Sequence, residues 1–405
     1  MIPRGVPDIG WSDLFYGLFG CIRPGNPVKL QKRIEQSWSS DGHNLACLSV
    51  RSGFDLFLQA VDLPRGSEVI VSAITISPMI QILEHHGLVP VPVDVDIDTL
   101  SIDPTELELL IGPRTRAILV AHLFGSRMDL EPIAAIAQRH GLLLIEDCAQ
   151  AYAGSEYLGH PASDVVMFSF GLIKTQTALG GAVLHFRDST VLARVRQLQA
   201  TYPRQPKSPF WHRVVLFMLL RLLAQPLVLR GFVHVCRWRG INYDNLLSQN
   251  LRSFSGGNLI ERIRHQPCVP LLRLLERRLR DKQAPGVRPR MALVQRLTPY
   301  LLTHYRPGLQ AQNHTHWVIP MLTSQPEEVV RRLQQEGFDA TRSASSLTVV
   351  SPPVGLFTAI PHQAADLMAQ VVYVPVYPAM TDVDMQRLVQ VIDDVERQYD
   401  LIGSM

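Results

Sequence analysis

The chain has 405 residues, 46% apolar and 19% charged, with 39 Lys+Arg, 36 Asp+Glu and a net charge of +3; this describes an ordinary globular protein with room for one large domain and a smaller one. Its five cysteines (Cys21, Cys47, Cys148, Cys236, Cys268) are scattered without a C-x-x-C pair, which argues against a disulfide framework or a zinc site and fits a reducing cytosolic compartment. The opening Met1-Ile-Pro-Arg-Gly-Val-Pro-Asp8 lacks a basic stretch followed by an apolar core, so no secretory signal is expected.

Helical spacing of apolar residues predicts helices over 28–38, 54–61, 77–86, 107–111 and 133–140. Residues 45–50 form a short apolar segment, and continuous apolar runs at 68–71, 89–93, 117–120 and 142–145 read as strands. Helices alternating with such strands imply βαβ units and a mostly parallel sheet. Ligands of these sheets bind beyond the carboxyl ends of the strands, where Ser52, Thr75, His122, Asp147 and Ser169 stand. The next apolar run, 165–170, leads to Lys174, and Gly180-Gly181 opens another at 182–186.

Residues 209–236 break this pattern. They are nearly all apolar, with Arg213, Arg221 and Arg230 interspersed and Pro226 in the middle. A spanning helix needs about 20 apolar residues, and three arginines oppose burial at the centre of a bilayer. Two short helices hinged at Pro226 are expected, either packed in the core or a dimer interface, or lying on a membrane surface. The charge here is asymmetric: residues 201–310 hold 19 Lys+Arg against 4 Asp+Glu, which leaves the rest of the chain at −12. Such segregation points to an anionic counterpart (a nucleotide diphosphate, a lipid phosphate, a membrane surface) or to a solvated face of arginine-rich helices.

Further on, a basic helix is expected over 271–279 and a Pro/Gly-containing connection over 282–290. A small α/β unit follows, with a strand at 317–322, a helix at 326–337 stopped by Gly337, a strand at 371–376 and a closing helix at 382–399. The division is therefore a large domain over 1–245, carrying an insert at 205–240, and a helical connection with a smaller C-terminal α/β domain over 246–405.

Leu142-Leu-Leu-Ile-Glu-Asp-Cys-Ala-Gln150 ends an apolar run in an acid, Asp147. Asp164-Val-Val-Met-Phe-Ser-Phe-Gly-Leu-Ile-Lys174 ends the next in a lone lysine. An acid and a lysine delivered by successive core strands is what a pyridoxal phosphate enzyme needs. The amine holds the aldehyde as a Schiff base, and the carboxylate keeps the pyridine nitrogen protonated. Taken singly, Lys174 reads as a loop lysine and Asp147 as a capping carboxylate; the pair selects the cofactor. Gln150 is placed to hydrogen-bond the ring oxygen or to cap a turn. Ser52-Gly53 opens a helix whose N–H groups suit a phosphate, Ser169 offers a further hydroxyl, and Thr75 sits where the ring face would lie. His122 reads as catalytic or as a satisfied structural histidine.

Together the chain resembles the DegT/DnrJ type of sugar aminotransferases, fold-type-I pyridoxal phosphate enzymes. The resemblance rests on Ser52-Gly53, Glu68-Val-Ile-Val-Ser-Ala-Ile-Thr75, Val91-Pro-Val-Asp-Val-Asp96, Pro113-Arg-Thr-Arg-Ala-Ile118, His122-Leu-Phe-Gly125, Ile145-Glu-Asp-Cys-Ala-Gln150 and Phe168-Ser-Phe-Gly-Leu-Ile-Lys174. It covers residues 30–186 in unbroken order. It implies a three-layer α/β fold, with a mostly parallel central sheet and a smaller C-terminal α/β domain. It also implies Lys174 as the Schiff-base lysine, Asp147 at the pyridine nitrogen, Gln150 at the ring hydroxyl, and Ser52, Gly53 and Ser169 at the phosphate. A homodimer with active sites at the subunit interface is implied as well.

The second half departs from the family. Gly240-Ile-Asn-Tyr-Asp244 resembles its Gly-x-Asn-Tyr-Arg motif, with Asp in place of Arg, and implies Asn242 at the partner's cofactor phosphate. Ile76 stands where an aromatic often stacks on the ring, and the usual His-rich substrate loop is not recognisable. The activity implied is transfer of an amino group from glutamate to an anionic keto-sugar, nucleotide-linked or lipid-linked. Neither a metal nor nucleic acid is expected. The location implied is cytoplasmic, with peripheral membrane contact through 209–236 at the inner face as a variant. A pyridoxal phosphate dehydratase or lyase, or an inactive membrane-associated relative, are the alternatives. Related dehydratases replace the lysine with histidine, so Lys174 favours transamination.

Overall fold

The computed structural model describes residues 1–403 except 242, 245–256, 302–305, 343–345, 356–358 and 376. The implied Asn242 therefore lies outside the described residues.

The strands are β1 (Asn44–Cys47), β2 (Glu68–Ser72), β3 (Ile74–Ile76), β4 (Val89–Val93), β5 (Thr115–Ala121), β6 (Ser126–Arg127), β7 (Leu143–Asp147), β8 (Val165–Ser169) and β9 (Ala182–Phe186). Seven form one sheet in the order β1-β9-β8-β7-β5-β2-β4. Within it only β9 runs against the others, so the expected mostly parallel sheet is present.

Alternation along each strand builds the layers. Val69 and Val71, Leu119, Ile145 and Met167 turn to one face. There they meet α3 (Val50–Val61), α4 (Ser77–His85) and α7 (Ser189–Thr201). Ile70, Ile118, Val120 and Leu144 turn to the other face, against α6 (Glu131–His140). Further along that face, Val166 and Phe168 pack with α1 (Trp11–Ile22) and α2 (Pro27–Trp38). Both faces being covered explains why the strands read as continuous apolar runs.

Several boundaries differ from expectation for local reasons. The helix expected over 54–61 begins at Val50, because the Ser49 hydroxyl accepts the Ser52 N–H and caps it there. The helix expected over 107–111 is α5 (Pro104–Leu109), started by the Asp103 cap and Pro104. Helix α1 was not expected. It lacks a side-chain N-cap, and its Trp11, Phe15, Phe19 and Ile22 form a stripe that faces outwards.

The insert is α8 (Lys207–Leu223) and α9 (Pro226–Trp238), bent by 100° at the break before Pro226. No single helix among the described residues is long and apolar enough to cross a membrane, although this bent pair passes that test taken together. After α10 (Leu259–Ile263), α11 (Val269–Leu279) packs with α1 and α2 in the core of the large domain. The connection expected over 282–290 runs into α12 (Val287–Leu297), which instead joins the C-terminal cluster.

That cluster surrounds an antiparallel pair, β11 (Ile319–Leu322) and β13 (Val371–Val374), with α13 (Pro326–Gln335) and the closing α15 (Asp382–Gly403). Two short ladders tie this unit to the large domain: β10 (Asn313–His314) pairs with β6, and β12 (Leu347–Val349) with β3. α14 (His362–Gln370) packs beside β11 and β12.

Candidate active site

A cavity of about 610 Å³ opens beyond the carboxyl ends of β7 and β8. Thr75, His122, Asp147, Gln150, Ser169 and Lys174 all line it. Six side chains spread over 100 residues of sequence thus meet at one sheet edge.

Lys174 is presented by a loop that the backbone holds tightly. Its N–H donates to Gly171 O (3.1 Å), and the Gly180 and Phe170 backbones pair (3.0 Å). Gly181, with φ +86, hands the chain back into β9, a left-handed position that favours glycine. The Lys174 amine lies 4.0 Å from the centre of the Trp317 ring. The Trp317 indole N–H donates to Ile173 O (2.9 Å), which fixes that ring beside the lysine. Enclosure disfavours the ammonium, and with the Arg51 cation outweighs the attraction of Asp147, lowering the amine to about 8.

Asp147 is buried, and its Oδ1 accepts the Ala149 N–H (2.9 Å). Burial raises its pKa against the opposing pull of that N–H, Lys174 and Arg51. Gln150 Oε1 accepts the Phe124 N–H (2.9 Å), so the carbonyl end of that side chain serves the loop after β5. Thr75 is held in register opposite Thr348 by the β3–β12 ladder, and Ser169 Oγ accepts the Gly171 N–H (3.3 Å).

Ser52 and Gly53 do not reach the wall. The Ser52 hydroxyl pairs with that of Ser49 (3.0 Å), and the Ser52 and Gly53 N–H groups bond to Ser49 Oγ and O. Gly53 is a packing residue: an added Cβ would stand 2.5 Å from both Leu184 methyl carbons. Ser49, Val50 and Arg51 line the cavity instead. Arg51 is partly buried, and desolvation lowers its pKa to about 10 against the pull of Asp147.

His122 belongs to a network behind the wall. Its Nδ1 accepts the Met128 N–H (3.3 Å), so Nε2 carries the proton and donates to Glu146 Oε1 (3.1 Å). Glu146 also accepts from Tyr157 Oη (2.5 Å), Cys148 Sγ (3.1 Å), the His160 N–H (2.8 Å) and Ser163 Oγ (2.9 Å). These donors outweigh burial and hold its pKa at about 2. His122, Glu146 and Cys148 lie close enough to suggest a metal site. Within the network, however, these groups already pair with one another, since Cys148 Sγ and His122 Nε2 both donate to Glu146 Oε1.

Sequence reasoning missed two residues of this cavity wall, Arg51 and Trp317. Arg51 stands beside the more familiar Ser-Gly pair, and Trp317 precedes β11, which begins at Ile319 rather than at 317. His314 and His316, in the string Asn313-His-Thr-His-Trp317, stack at 4.1 Å and 16° and line a second cavity rather than this one. Burial and nearby arginines depress them to about 3 and 4, so both are neutral at physiological pH. The His-x-His-Trp spacing was the available signal.

Residues 28–224 match the model of the DegT/DnrJ/EryC1/StrS aminotransferase family. The GDP-perosamine synthase of Caulobacter vibrioides is 35% identical over 178 residues, 43% of this chain and 47% of that protein. The pleiotropic regulatory protein of Geobacillus stearothermophilus is 32% identical over 218 residues, 53% of this chain and 58% of its own. The chain thus spans about half the length of the curated relatives it matches. The crystal structure of the aminotransferase TlmJ from Streptoalloteichus hindustanus superposes over 100% of both chains, with a TM-score of 0.69 at 18% identity, a likeness of fold.

Proposed function

We propose, from the match of residues 28–224 to the DegT/DnrJ/EryC1/StrS aminotransferase family model, that the chain is a pyridoxal-phosphate-dependent aminotransferase moving an amino group from glutamate to a keto-sugar. The observation that carries this reading is the Lys174 amine, lowered to about 8 in the same cavity wall as Asp147. The donor set fits the cofactor: an amine for its aldehyde, an acid for its ring nitrogen, and a cation with hydroxyls for its phosphate.

When bound, pyridoxal phosphate supplies an aldehyde that condenses with amines and a ring that takes up electrons from the breaking Cα–H bond. The chain's own residues do the rest. An amine near pKa 8 has an appreciable neutral fraction at neutral pH, so Lys174 can act as nucleophile and then carry a proton between carbons. The Trp317 face restricts where that amine swings and stabilises it when protonated. Asp147 holds a proton on the ring nitrogen. Gln150, its carbonyl already engaged, offers its NH₂ to the ring oxygen. Thr75 would lie against the ring, while Ser49, Arg51 and Ser169 would take the phosphate, with Ser52 and Gly53 shaping the helix turn behind them. The keto-sugar acceptor is supported by the name of the perosamine relative. The reading includes a cytoplasmic homodimer in which Asn242 reaches the partner's cofactor.

Lys174→Ala should abolish both the visible absorbance band of the bound cofactor and amino transfer from glutamate. Retained transfer in that variant would overturn the reading.

A further inference from the structure

The cavity does not end at the lysine. Its lining also includes an apolar arm, Val6, Leu172, Phe217, Leu220, Leu223 and Leu229, together with the charged Arg4, Asp8 and Arg213. Four of the six apolar residues come from the inner sides of α8 and α9, whose outer sides face solvent. α1 and α8 run antiparallel: Lys207 Nζ donates to Cys21 O (3.1 Å) at one end, and an Arg221 N–H to Ile9 O (2.7 Å) at the other. Both rest on α11, so their apolar stripes turn away from it together. The most exposed apolar residues on this surface are Phe19 (65%), Ile22 (79%), Leu227 (83%) and Trp238 (79%). These four lie on α1 and α9, and α8, which touches both, adds the exposed Trp211, Leu219 and Leu222; side chains of this size and exposure on successive helices mark a contact surface rather than scattered surface residues.

The charge along α8 and α9 has one sign. Residues 207–239 contain Lys207, Arg213, Arg221, Arg230, Arg237 and Arg239 and no acid. Arg213 and Arg221 bond inward to backbone carbonyls, whereas Arg230, Arg237 and Arg239 are exposed. A second copy of the chain seated here would bring these arginines against themselves. An anionic lipid surface neutralises them while accepting the aromatic and leucine side chains, and helices bent by 100° lie along such a surface more readily than they cross it.

We propose that α1, α8 and α9 dock on an anionic bilayer, and that the apolar arm holds the hydrocarbon chain of a lipid-linked keto-sugar whose ketone reaches Lys174. This rests on the aminotransferase reading and names its acceptor class. Of the helices that meet the bilayer, α8 and α9 also line the arm, so the docking surface and the arm share the same insert.

The test uses the cofactor-loaded protein. Sedimentation with phosphatidylcholine vesicles containing phosphatidylglycerol should carry it down, and pure phosphatidylcholine should retain about tenfold less, with the difference shrinking at high salt. The combined variant Phe19→Ser, Ile22→Ser, Leu227→Ser, Trp238→Ser should lose vesicle binding while keeping its oligomeric state. No binding by the unaltered protein, or dissociation of that variant into smaller species, overturns the docking. A keto-hexose diphosphate carried on geranyl should then be aminated at least about tenfold more efficiently in kcat/KM than the same sugar on uridine, and Leu220→Asn should erase that advantage. An equal or reversed preference overturns the arm assignment. Conversion of the bound cofactor to its amine form by glutamate alone, read by absorbance, separates the two levels: if it occurs, the aminotransferase reading stands even where the lipid inference fails.

Discussion

The sheet region between residues 44 and 201 and the helices between 207 and 238 both hide leucines, valines and phenylalanines, but they do so by opposite rules. In the sheet, alternate residues enter two closed cores, and the side chains on both faces are fully covered. In the insert, one face walls a cavity while the other leaves Leu222, Leu227 and Trp238 in solvent. An apolar sequence therefore marks a core only where something covers both sides of it. The sheet region positions chemistry through tight packing, and the insert presents a surface.

The largest effect expected from breaking the sheet region is on catalysis. Asp147→Asn should keep the fold and lower amino transfer by on the order of 10²–10³-fold in kcat, measured with saturating cofactor. Wild-type rates would remove Asp147 from the chemistry.

Glu146 tests whether the wall depends on the network behind it. Glu146→Gln replaces an acceptor of five donors by a group that itself donates, and should cost about 2–4 kcal/mol in denaturant unfolding. The folded-state pKa is held down at about 2 against the ordinary 4.5. Its contribution to stability is therefore complete above pH 4.5 and lost as the pH falls towards 2. The variant should lack that acid-dependent loss.

The sharpest contrast between the regions comes from two glycines. In the sheet region, Gly53→Ala drives a methyl into Leu184 and should destabilise by about 1–2 kcal/mol. In the insert, nothing lies within 4 Å of a Cβ at Gly231, inside α9, so Gly231→Ala should stabilise by about 0.5–1 kcal/mol. Equal signs in thermal unfolding would erase the distinction.

The same contrast governs what could be read in advance. Asp147 and Lys174 were legible because each ends a buried apolar run, and the βαβ alternation followed from strands covered on both faces. Ser52-Gly53 pointed to the correct helix but not to its starting residue, since the cap is Ser49, three residues before Ser52. Trp317 was not legible as a neighbour of Lys174 because the contact joins residues far apart in sequence and depends on how the C-terminal unit folds back. Helix α1 had no capping signal, and its outward stripe resembles a core stripe until α11 is seen to occupy its other side.

The most direct measurement traps the cofactor on the protein. Purified protein incubated with pyridoxal phosphate, reduced with borohydride and mapped by peptide mass spectrometry should carry the pyridoxyl adduct on the peptide containing Lys174. An adduct confined to other lysines, or none, would contradict the assignment of Lys174 and with it the aminotransferase reading.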